Sequence, residues 1–321
     1  MHVLITNDDG PPSAAHSPFV HGLVESLKAN TDWEISVALP SSQKSWIGKA
    51  FLLADTVRAT YYTPSSEVGG EGTIHQTRQS EDDWVLLDGT PATCASIGIH
   101  SLFPQKGPVD LVLSGPNFGR NSSAVFIMAS GTVGGALEAA LNGIPAVGIS
   151  YALFRDRPHR GEHAHAASEL TTKLVRKLWE EHLSPEVRSG EIDLVTVNVP
   201  LVDKLLDKVQ GMKCHWTHIH QNRWSSPAFA PVAPSTTVGT SDPAASADQK
   251  EEEIREGETT TPDGNREGGE AWVFKPKFDW FKLKNEDVGS DEWALCEGMV
   301  SVTPLKACFQ GMGGYKGELK L

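Results

Sequence analysis

Two carboxylates stand side by side in the run Asn7-Asp8-Asp9-Gly10, directly after residues 2–6, which read as a short buried strand. Adjacent anions repel, and burying either one without a partner is costly. A divalent cation shared by Asp8 and Asp9 removes both penalties. Hard carboxylate and amide oxygens suit Mg²⁺, Mn²⁺ or Ca²⁺ better than a thiolate-seeking metal. A polar turn in which Asp8 or Asp9 caps the next helix has the same local spelling. Two further clusters bear on that choice, Pro40-Ser41-Ser42-Gln43-Lys44-Ser45 and Ser114-Gly115-Pro116-Asn117-Phe118-Gly119-Arg120-Asn121. Each follows a strand-like run and carries neutral oxygens that can complete a cation's shell. A fourth cluster, Ser130-Gly131-Thr132-Val133-Gly134-Gly135, leads small residues into a helical pattern. Its leading amides and helix dipole favour an anion, Gly131 permits close approach, and the Ser130 and Thr132 hydroxyls can donate to phosphate oxygens. Alone, this cluster is an ordinary N-cap; beside a cation site it reads as a phosphate cradle.

These clusters must be brought together by the elements around them. Residues 2–6, 34–39, 109–113, 146–150, 193–199 and 299–304 are apolar runs of strand length. Helical patterns separate them. Ser17-Pro18 resembles an N-cap with Pro at the first helical position, followed by Phe19, Val20, Leu23, Val24 and Leu27 at helical spacing. Thr90-Pro91 starts a helix to about Leu102, 131–141 another closed by Asn142-Gly143, and 164–182 a long third. The alternation predicts a Rossmann-like, three-layer α/β/α fold with a mainly parallel sheet, in which ligands sit beyond the carboxyl ends of the strands. Residues 50–86 are irregular and read as a hairpin excursion. Residues 114–121 read as an exit loop.

Of 321 residues, 39% are hydrophobic, enough for one large domain. No apolar run reaches the ~20 residues of a membrane span. The N-terminus lacks a secretory pattern, and Cys94, Cys214, Cys296 and Cys308 form no Cys-x-x-Cys pair, so a reducing, cytoplasmic location is expected. Net charge is −13, but residues 241–270 hold ten acids and three bases. No basic stripe remains elsewhere, so a nucleic-acid groove is not supported. The chain divides into an α/β catalytic domain at 1–225, an acidic insertion at 226–270 expected to be disordered, and a C-terminal segment at 271–321 completing the domain or its oligomer contacts.

Taken in order, Asn7-Asp8-Asp9-Gly10, Asp88-Gly89-Thr90-Pro91, Ser114-Gly115-x-Asn117-x-Gly119-x-Asn121 and Ser130-Gly131-Thr132-Val133 resemble the SurE family of metal-dependent nucleotidases and phosphatases. Val197-Asn198-Val199-Pro200 and Val300-Ser301-Val302-Thr303-Pro304-Leu305 fit the same pattern. The acidic insertion and Asn222-Arg223-Trp224 look like fungal members. The resemblance implies that Asp8, Asp9, Ser45 and Asn117 hold Mg²⁺ or Mn²⁺, with Asn121, Ser130, Gly131 and Thr132 around the phosphate. Trp46 stands where the family usually has Gly, which leaves Ser41 and Ser42 as competitors of Ser45. The family also implies a homodimer or homotetramer with exchanged C-terminal segments, for which residues 272–280 are the candidates.

The expected reaction is phosphomonoester hydrolysis, nucleoside 5′- or 3′-monophosphates being the implied substrates. An activated water attacks phosphorus, and Asp8 or Asp9 orients the water or takes its proton. Three rivals are open. A phospho-aspartate route prefers aspartates one residue apart. A zinc deacetylase would draw on His159/His163/His165 or His215/His218/His220. A non-catalytic nucleotide-binding or scaffold protein could keep the fold without the chemistry. A P-loop is excluded, because Gly311–Gly317 opens no helix and lacks the spacing. No Gly-x-Ser-x-Gly elbow occurs. Asn121-Ser122-Ser123 spells a glycosylation acceptor, idle inside a cell.

Overall fold

The computed structural model describes residues 1–67, 70–154, 160–232, 273–277 and 287–309. Among these, ten strands form one sheet in the order β4-β3-β5-β2-β1-β6-β7-β8-β12-β9. The central strands are β1 (His2–Thr6), β2 (Glu34–Pro40), β6 (Leu111–Phe118), β7 (Ala146–Ala152) and β8 (Leu194–Pro200), all parallel to one another. Alternate residues of β1 enter different cores. Val3 and Ile5 pack with α1 (Val20–Asn30) and α5 (Gly161–Leu178), while Leu4 packs with α2 (Pro91–Ile97) and α4 (Gly131–Leu141). Each face of a twisted parallel sheet needs a covering of helices, and the period-two strand pattern supplies an apolar surface to both. The three-layer α/β/α expectation therefore describes the molecule.

Residues 50–86 widen this sheet. β3 (Ala59–Thr63) and β4 (Thr73–His75) pair antiparallel, and β3 joins β5 (Trp84–Leu87), itself parallel to β2. At the opposite side β12 (Val300–Leu305) runs antiparallel to β8 and parallel to β9 (Cys214–Trp216). A second, two-stranded sheet pairs β10 (Phe229–Val232) with β11 (Val273–Pro276). Of the insertion at 226–270 expected to be disordered, residues 233–270 lie outside the described residues, as do 272 and 278–280 of the candidate exchange segment, Gly311–Gly317 and His159.

Several local expectations need correction. Ser17 does not cap α1. Its hydroxyl donates to Gly10 O at 2.9 Å, while α1 starts after Phe19 with no side-chain cap. The stretch 114–121 is not simply an exit loop, since β6 continues through Asn117 and Phe118 with a register shift after Ser114. The long helix begins at Gly161 and becomes a π-type turn over Trp179–Leu183. A short helix, α3 (Ser123–Ala129), went unseen; it precedes α4 directly.

Candidate active site

Asp8 and Asp9 lie just beyond the carboxyl end of β1, at the centre of the sheet, and both are buried. Asp8 Oδ1 accepts a 2.5 Å hydrogen bond from the Thr132 hydroxyl. Its burial pushes the carboxyl up to about 6, against the lowering effect of the Thr132 hydrogen bonds. Asp9 Oδ2 accepts from Phe118 N at 2.7 Å, and Oδ1 from Gln43 Nε2 at 3.3 Å. Burial, and then the neighbouring Asp8 charge, hold the Asp9 carboxyl well above its ordinary range. Among the described residues, neither carboxylate pairs with a lysine, arginine or histidine.

Asp8, Ser45, Asn117, Asn121 and Ser130 line one pocket, with Trp46, Phe118, Arg120, Phe126 and Ala129 completing it. Four segments distant in sequence thus meet where the strands end. Ser41 and Ser42 are exposed, whereas Ser45 lines the pocket beside Asp8. Trp46, at the position where the resemblance expects glycine, adopts φ +60°. That left-handed conformation costs a non-glycine residue roughly 1 kcal/mol or more.

The fourth segment is bound to the first. A Cβ built on Gly131 would meet Asp8 Cβ at 2.8 Å and Asp8 Oδ2 at 3.0 Å, so only glycine lets α4 approach the carboxylate this closely. Ser130 caps α4, accepting from Val133 N at 3.1 Å, and its hydroxyl hydrogen remains to donate. Thr132 touches the carboxylate directly. It is fully buried and donates its hydroxyl hydrogen to Asp8, which steadies that carboxylate. Asn117 Nδ2 donates to Gly119 O at 2.8 Å, which orients its side chain at the pocket edge. Asn121 Nδ2 donates to Ser150 Oγ at 2.9 Å, and its backbone N–H to Asn198 Oδ1 at 2.8 Å. Asn121 is buried and is thereby withdrawn from any glycosylation role.

The donor set tests the metal expectation. Asp8, Asp9, Ser45 and Asn117 offer only oxygen and amide groups, the chemistry of a hard divalent ion. Among the described residues, no group of three or more His, Cys, Asp and Glu is arranged to hold an ion. A cation here would therefore rest on two carboxylates and neutral oxygens. The histidine runs go elsewhere: His163 Nε2 meets Asp203 Oδ1 at 3.1 Å, and His218 and His220 share Asp287.

Some members of the site gave less warning in the sequence. Trp46 stood out only as a departure from the family pattern, and neither Phe126 nor Arg120 carried a role in the sequence reading. Asn198 was marked only as part of a family pattern. A lone amide inside the buried strand β8 was a usable signal, since such a group needs partners.

A family model described as Survival protein SurE matches residues 3–226. A Saccharomyces cerevisiae protein named probable tubulin–tyrosine ligase PBY1 is 35% identical across the whole of this chain, which spans 43% of that relative's length. A Geobacter metallireducens protein named 5′-nucleotidase SurE is 30% identical over 95% of this chain and 91% of its own. The crystal structure of SurE from Aquifex aeolicus aligns with a TM-score of 0.59 at 22% identity, covering 97% of this chain and 95% of that one.

Proposed function

Because the chain belongs to the SurE family, we propose that it is a divalent-metal-dependent phosphomonoester hydrolase acting on nucleoside monophosphates. The observation that carries the reading is the buried Asp8–Asp9 pair, without a basic partner among the described residues, of which Asp8 lines a pocket with Ser45, Asn117 and Ser130. Asp8, Asp9, Ser45 and Asn117 would hold Mg²⁺ or Mn²⁺, which supplies countercharge and acidifies a bound water.

The chain's own groups account for positioning. Ser130 donates its hydroxyl hydrogen to a phosphate oxygen, and the first amides of α4 face the same anion. Asn121, held from behind by Ser150 and Asn198, lines the phosphate end. Thr132 keeps Asp8 in one orientation, and Phe118 N does the same for Asp9. Asp8 takes the proton of the attacking water on a carboxylate oxygen; the water oxygen bonds to phosphorus as the ester oxygen leaves. Phe118 and Phe126 exclude bulk water from one side.

The test is phosphate release from AMP and from p-nitrophenyl phosphate with Mg²⁺ or Mn²⁺, repeated in EDTA. Metal-dependent release is the expected result. Nucleotide binding in the presence of either metal, with no turnover of either ester, would replace this reading with the non-catalytic one.

A further inference from the structure

We propose that Trp46, backed by Phe126 and Trp224, is a stacking shelf for the base of a nucleoside monophosphate, and so selects aromatic over aliphatic phosphate esters. This rests on the hydrolase reading above and deepens it. The pocket has two chemically different ends. Asp8, Ser130 and Asn121 form a polar end, while Trp46 and Phe126 line the same pocket as an aromatic end. A nucleotide is divided in the same way, with an anion at one end and a planar ring at the other.

The aromatic end is built with care. The Trp46 and Phe126 ring centroids are 5.5 Å apart at 52°, and Trp46 and Trp224 are 6.3 Å apart at 34°. The Arg120 guanidinium lies 5.2 Å from the Phe126 ring centroid. Gly48 N donates to Ala129 O at 2.8 Å, stitching the loop that carries Trp46 to the end of α3, which carries Phe126. Asn222 accepts from Val125 N at 2.9 Å and donates to Ser123 Oγ at 2.8 Å, so the segment bearing Trp224 is anchored to the start of the same helix.

The backbone adds a separate observation. Trp46 holds φ +60°, a conformation that glycine would adopt without penalty. Strain of this kind survives where neighbouring contacts impose it, and it gathers at binding sites. A bulky indole kept there, one residue from Ser45, places an aromatic face beside the phosphate end. Stacking reads a flat π surface and not hydrogen-bonding edges, so the shelf should tolerate different bases while favouring the larger purines.

The experiment measures kcat/KM for AMP and for glycerol 2-phosphate, with Mn²⁺, in wild type, Trp46→Gly and Trp46→Phe. The AMP-to-glycerol-phosphate ratio should fall about tenfold in Trp46→Gly, mostly through KM for AMP, and stay within about threefold in Trp46→Phe. An unchanged ratio in folded Trp46→Gly would overturn the shelf. If that variant does not fold, tryptophan quenching by adenosine decides. Saturable quenching in wild type, weakened in Trp46→Phe, supports the shelf, and equal quenching in both overturns it. Adenosine carries no phosphate, so this reading stays informative even if neither ester is hydrolysed, an outcome that sinks only the hydrolase proposal.

Discussion

Asp8 and Asp9 form one dense knot of carboxylate; Asp287, Asp291 and Glu292 form another, and the two are neutralised in opposite ways. In the second knot the partners come from the protein. His220 meets Asp287 at 3.0 Å through Nδ1 and Glu292 at 3.4 Å through Nε2. Asp291 accepts from the backbone N–H groups of Ser123, His220 and Glu292. In the first knot the donors are one hydroxyl, one amide side chain and backbone groups, with no base among the described residues. A carboxylate cluster that satisfies itself is a clamp. One that leaves its charge unmet is prepared for something from outside.

Asp9→Asn should break this contrast most severely. Metal-dependent phosphate release is expected to fall by at least about 10³, while the melting temperature holds or rises because a buried charge is gone. Asp291→Ala should do the reverse. Loss of three backbone acceptances is expected to cost about 3 kcal/mol in urea unfolding, with kcat of the folded fraction kept near wild type. Close in size, Mn²⁺ at about a hundred times its dissociation constant should stabilise wild type by about 2.7 kcal/mol, read as a rise in melting temperature, and leave the Asp8→Asn, Asp9→Asn double variant unmoved. Gly131→Ala should push α4 away from Asp8 and lower kcat/KM about tenfold, with a smaller change in stability.

The smallest effect concerns pH. The His220 hydrogen bond, offset in part by burial and helped by His218, holds the Asp287 carboxyl below its usual 3.8. A depressed carboxylate stabilises the fold above its unfolded value, and the gain is lost as pH falls through the folded value. Wild type should therefore exceed Asp287→Asn by under about 1 kcal/mol near neutrality, the group being well exposed. That difference should close below about pH 4 in denaturant titrations. A gap that widens on acidification would contradict the assignment of the clamp.

The central sheet and the polar half of the pocket were legible because their signals are local. An apolar run followed by Asn7-Asp8-Asp9-Gly10 announces both the strand and its polar end, and Ser130 before an amphipathic run announces a cap. What was hidden depends on distant partners. Ser17 spells an N-cap, yet tertiary packing sends its hydroxyl to Gly10. The helix α3 opens with Ser123 at φ +68° and no local cap. Its first N–H groups are met by Asp291, by His220 O and by Asn222, more than ninety positions away in sequence. No window of neighbouring residues contains that information. Trp46 was visible as a departure from the family pattern, but the left-handed backbone that accommodates it was not.

That remote capping of α3 has a consequence for biosynthesis. A ribosome that has emitted the first 130 residues has already delivered every side chain lining the pocket. The wall bearing Phe126 is nevertheless still waiting for His220, Asn222 and finally Asp291 to emerge. A finished pocket should thus arrive late in translation, long after its lining has been spelled out.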